Sequence, residues 1–189
     1  GILRDAFLYT QAAWALSVAE ISLGNTSGAT RALDNAQDRF DLLQGLLQSA
    51  RIRDDGIYWM AAQLDRQQGR VEASRGNYDR ALTLFDSAIN ASVRGSIARS
   101  GTGAEPAIAE LKLERAALTA RSGQTETVVD DAYEDAIAAL LGTRDENYTF
   151  RTTVLQPYLD RLVTRMKKGD KAMLLIFYSD VYTSNGVGV

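Results

Sequence analysis

Apolar residues recur along most of the chain at steps of three and four, the spacing of one helix face, and strand-like alternation is rare. A first helix is predicted over residues 3–23, with Phe7, Trp14, Leu16, Val18 and Ile21 available for burial. The polar stretch from Gly24 to Gly28 breaks it. A second helix follows over 29–49, where Leu33, Ala36, Phe40, Leu43 and Leu47 form one stripe. Asp54 or Asp55 can cap a third helix that ends before Gly76. A fourth is predicted over 78–93, and 94–103 reads as a loop because of its Gly and Ser content. Pro106 suits a first helical turn, so a fifth helix runs over 106–121 and a sixth over 125–141. Beyond a polar connector, helices are predicted over 152–167 and, less regularly, over 171–182, where Met173 to Tyr178 is also compatible with a strand.

Short turns force neighbouring helices to pack antiparallel. Taking Gly28, Gly76 and Gly123 as the intra-pair breakers gives intervals of 48 and 47 residues. The predicted fold class is therefore all-α: antiparallel helical hairpins stacked as a short right-handed solenoid, each covering the apolar face of the next. Residues 1–150 form the hairpin domain and 151–189 a C-terminal helical extension. The start at Gly1 without Met and the Gly-Val-Gly-Val end read as cuts in a longer protein.

Composition narrows the chemistry. The 189 residues include no Cys and no His, which removes disulfides, Cys/His zinc sites and His-based triads from these residues. It also weakly favours a cytoplasmic setting. A net charge of −3 argues against a dedicated nucleic-acid binder. The apolar run Ala172 to Tyr178 is too short to span a membrane. Asp130, Asp131, Glu134 and Asp135 lie on one helix and read as a solvated face, because a metal site needs carboxylates converging from several elements. The basic group Arg161, Arg165, Lys167, Lys168 and Lys171 reads as a solvated helix end. No phosphate loop, catalytic constellation or cofactor motif is present, so no cofactor is expected and the chain is read as non-catalytic.

The middle hairpin carries Gly69, Gly76, Tyr78, Ala81, Phe85 and Ala88. At that spacing it resembles a tetratricopeptide repeat. Small residues at Gly69, Ala81 and Ala88 suit close helix crossings, and Tyr78 and Phe85 suit the wedge between hairpins. Asp65, Gln68 and Val93 depart from the family's usual Trp, Leu and Pro. Val129, Tyr133 and Ala136 follow the same steps one residue late, whereas Leu33, Ala36 and Phe40 do not fit the motif. The resemblance implies a protein-interaction scaffold whose first helices line a concave groove. Gln63, Arg66 and Arg70 step by three and four and would face that groove, where guanidinium groups suit carboxylates of a peptide or partner helix. A second resemblance covers residues 106–116, 158–162, Phe177 and 184–187. It is to the region preceding the caspase-like domain of bacterial CHAT proteins, and implies a regulatory arm of a protease whose catalytic His and Cys lie outside this chain. The sequence leaves the oligomeric state open.

Overall fold

The computed structural model describes residues 2–52, 54–100 and 106–141, which belong to one compact unit, Gly1–Gly142. The extension predicted over 151–189, with its two helices and basic group, lies outside the described residues. Among the described residues six helices follow in order: α1 (Ile2–Ser22), α2 (Thr26–Ser49), α3 (Gly56–Ser74), α4 (Tyr78–Ser100), α5 (Pro106–Arg121) and α6 (Glu126–Leu141). No strand occurs among the described residues. The dominant packing pairs are α1 with α2, α3 with α4, and α5 with α6; α2 also packs on α3, and α4 on α5.

The stripe on α2 behaves as its spacing predicts: Ala29, Leu33, Ala36, Phe40, Leu43 and Leu47 are buried against Met60, Leu64 and Val71 of α3. A second cluster joins Ala62 of α3 and Ala81, Phe85 and Ala88 of α4 to Leu111 and Leu118 of α5. Gly69 sits where α3 crosses α4. A Cβ added there would lie 2.9 Å from two Phe85 ring carbons, so only glycine permits this approach without displacement.

Two boundaries differ from the sequence expectation, each for a local reason. Gly28 does not break the first hairpin; it lies in the first turn of α2. Asn25 caps that helix by accepting the Gly28 amide at 3.0 Å, and the left-handed residue is Gly24, at φ +72°. The intervals between left-handed glycines, Gly24 to Gly76 to Gly123, are then 52 and 47 residues. Helix α4 continues to Ser100, through the stretch read as a loop. Gly95 and Ser96 are buried there, and packing outweighs the roughly 1 kcal/mol that an interior glycine costs a helix. Of the two aspartates expected to cap α3, Asp54 does so, accepting the Gly56 amide at 2.9 Å, while Asp55 makes no capping bond. Leu16, expected to be buried, faces solvent.

Moving the first breaker to Gly24 brings the first two hairpins into one register, which the second helix of the third follows one residue late. Ala29, Ala81 and Val129 hold one buried position, Leu33, Phe85 and Tyr133 the next, and Ala36, Ala88 and Ala136 the third. On the preceding helices, Ser17, Gly69 and Ala116 correspond, as do Thr10, Ala62 and Ala109, and all are buried. The first two corners share one closure. The Asn25 amide bonds Glu20 O at 2.8 Å and the Gly24 amide bonds Ile21 O at 3.0 Å. The Asn77 and Gly76 amides bond Glu72 O and Ala73 O at 2.9 and 3.1 Å. In both corners the Asn side chain donates to the Glu carboxylate at 2.7 Å. Gly76 has φ +82° and open space around it. Gly76→Ala is therefore expected to cost about 1–2 kcal/mol through backbone strain alone, measurable by urea unfolding.

Candidate functional site

Helices α3 and α5 each carry one charged stripe. On α3 it is Gln63, Arg66 and Arg70; on α5, Glu110, Glu114 and Arg121 follow at steps of four and seven, again one face. The two stripes meet. Arg66 Nε donates to Glu114 Oε1 at 2.9 Å, and its Nη2 reaches Glu110 Oε2 at 3.3 Å and the same Glu114 oxygen. Arg70 grips Glu114 with two bonds, Nε to Oε2 at 2.9 Å and Nη2 to Oε1 at 2.6 Å. One carboxylate thus receives two guanidinium groups.

Burial works to raise the Glu114 carboxyl. The hydrogen bonds from Arg70 and Arg66, together with their positive charges, outweigh it and hold the group below its ordinary value. Arg66 is the more enclosed arginine, with 15% of its side chain exposed against 35% for Arg70. Among the described residues Arg70 Nη1 has no acceptor.

Beside this network opens a cavity of about 320 Å³. Ile21, Phe85, Ala117 and Leu118 give it apolar walls, and Arg70, Glu114 and Arg121 give it charge. The Arg121 guanidinium lies 5.9 Å from the centre of the Tyr78 ring, which holds it over an aromatic face. Two arginines and one already engaged carboxylate leave the opening with a surplus of donors. The arrangement suits an anionic group next to an apolar one.

The sequence-predicted residues part company here. Arg66 and Arg70 come together on Glu114, and only Arg70 lines the cavity. Gln63 lies nearer the start of α3, around a void of about 10 Å³ with Trp14, Trp59 and Met60. The two indoles meet edge to face at 6.1 Å. Glu110, Glu114 and Arg121 belong to the site although the sequence alone does not single them out. Their signal was a carboxylate pair four residues apart, matching the four-residue step from Arg66 to Arg70. Gly69, Ala81, Phe85 and Ala88, chosen as repeat positions, are all buried, with Tyr78 partly so and Gly76 at the corner.

Among the described residues no group of three or more side chains is placed to hold a metal ion. On α6, Asp131, Glu134 and Asp135 are exposed and Asp135 accepts from Lys112 Nζ at 2.8 Å. Among the described residues no helix is long and apolar enough to cross a membrane. The chain matches no protein-family model, no curated protein and no solved structure.

Proposed function

We propose that this chain is a non-catalytic protein-interaction module, a tetratricopeptide-like stack of three hairpins. Its groove, between the first helices of the hairpins, receives an acidic peptide or partner helix. The observation that carries the reading is the cavity of about 320 Å³ in which Arg70 and Arg121 flank an apolar wall of Phe85 and Leu118. The shared burial register of the hairpins supports the repeat architecture. A ligand carboxylate takes Arg70 Nη1 and the Arg121 guanidinium, while a neighbouring apolar side chain covers the half-buried Ile21 and Ala117. Arg66 serves as a strut to α5, and Gln63 stays outside the contact.

Selection from a displayed random-peptide library tests the proposal. Selected peptides are expected to be enriched in Asp and Glu next to Leu or Ile. A charge-assisted hydrogen bond contributes about 1.5–3 kcal/mol, so Arg121→Ala should weaken a selected peptide by roughly 10- to 100-fold in calorimetry. Peptides without acidic enrichment, or affinities indifferent to Arg121, defeat the assignment.

A further inference from the structure

The middle of helix α1 is uncharged on every side. From Ala6 through Ala19 it carries no charged residue. A helix of that kind is normally buried all round. Here one side, with Phe7, Ala13, Trp14 and Ile21, packs into the core. The opposite side, Leu8, Ala12, Ala15, Leu16, Ala19 and Leu23, faces solvent. Leu8 is 50% exposed, Leu16 54% and Leu23 81%. The stripe runs for roughly 22 Å at 1.5 Å per residue. The outward side of α2 differs: Arg31, Asp34, Asp38, Arg39 and Asp41 are exposed there.

The common register indicates what such a stripe does. Counted back from Gly24 and from Gly76, Leu8, Ala12 and Ala19 correspond to Met60, Leu64 and Val71 of α3. Those three are buried in the cluster that contains Phe40, Leu43 and Leu47 of α2. The same positions that α3 uses to hold a helix are uncovered on α1.

We propose that this stripe is a self-association surface, on which α1 of a second copy packs antiparallel across a two-fold axis. Three features select a second copy. Between Leu8 and Ala19 the face carries no charge, so it meets itself there without like-charge contact, as a symmetric interface requires. Antiparallel pairing about the middle of the stripe sets Ala12 against Ala15 of the other chain, so small residues let the backbones approach. The same register sets Leu8 against Ala19, large against small. One helix pair is a small interface, at the low end of specific contacts, near or below about 1,200 Å² in total. Association is therefore expected in the micromolar range.

Sedimentation equilibrium of the full 189-residue chain reads the outcome. A monomer–dimer equilibrium is expected, with Ala12→Glu raising the dissociation constant at least about tenfold and Gln48→Glu, on the exposed side of α2, leaving it unchanged. Ala12 is exposed, so helical circular dichroism and melting temperature should hold; Leu16→Gln is the milder second variant. Because the chain has no Cys, mixing Ala12→Cys and Ala15→Cys chains under mild oxidation should give a disulfide-linked pair. A monomer at every concentration, or a dimer indifferent to both Ala12→Glu and Leu16→Gln, overturns the proposal.

Discussion

Phe85→Ala is expected to lose about 3–5 kcal/mol of stability. Phe85 is 3% exposed, and its ring fills the space that Gly69 leaves open where α3 crosses α4. Removing the ring leaves a cavity bordered by Gly69, which has no side chain to move into it. The reciprocal change tests the same contact. Gly69→Ala gains up to about 1 kcal/mol of helix propensity. It also forces a methyl to 2.9 Å from the Phe85 ring and 3.3 Å from the Ala81 carbonyl oxygen. Overpacking of that kind costs about 1–3 kcal/mol, so Gly69→Ala should be net destabilising with Phe85 present. In a Phe85→Leu background the penalty should shrink. Urea unfolding of the four chains gives the coupling directly. A Phe85→Ala chain within about 1 kcal/mol of the parent, or strictly additive effects, would remove the close crossing from the account.

The second large effect concerns Glu114. Glu114→Ala strands Arg70 and leaves the mostly enclosed Arg66 only its 3.3 Å contact with Glu110. Breaking a buried pair costs about 3–5 kcal/mol. The partial exposure of Arg70 and Glu114 reduces this to roughly 2–3 kcal/mol at neutral pH. The acid response has a definite sign. The folded carboxyl titrates below its ordinary 4.5, so its contribution is complete above that pH. It is lost as pH falls through the lower folded value. Glu72 behaves in the same direction, because Asn77 donates to it, with Arg80 and Arg75 adding favourable charge against burial. Melting temperature against pH should therefore fall below about 4.5 in the parent and less steeply in Glu114→Gln. A Glu114→Gln chain with an unchanged acid slope would contradict the pairing. Arg66→Glu should resemble Glu114→Ala in stability, which makes Arg121 and not Arg66 the position at which to test ligand capture.

The helices were readable because each has its own stripe, as Leu33, Ala36, Phe40, Leu43 and Leu47 illustrate for α2. The first hairpin's register was obscured by two nearby glycines. Deciding between Gly24 and Gly28 required knowing that the Asn25 side chain accepts the Gly28 amide, a contact that composition does not reveal. One cue was present: Glu20-Ile-Ser-Leu-Gly-Asn25 and Glu72-Ala-Ser-Arg-Gly-Asn77 spell the same corner. The reach of α4 past Val93 was hidden because Gly95 and Ser96 read as loop residues, and only their burial explains their helical state. The arginine pair was found from spacing on one helix. Its partners lie more than forty positions away on α5, and single-helix periodicity carries no information about such a meeting. Arg121 was invisible as a site residue for the same reason, since its role depends on Tyr78 and on the opening beside Arg70.

The two matching corners also bear on how the polypeptide acquires its shape. Each bond of the Glu20–Asn25 and Glu72–Asn77 closures joins residues no more than five apart. A nucleus of that kind needs almost no loop closure, so its entropic cost is small. Refolding can then start at either corner independently and spread outward by adding adjacent helices, as in other chains built from neighbouring units. Stopped-flow traces should accordingly show rapid recovery of helicity, with slowing when Gly24 and Gly76 are both replaced by alanine and little change when only one is.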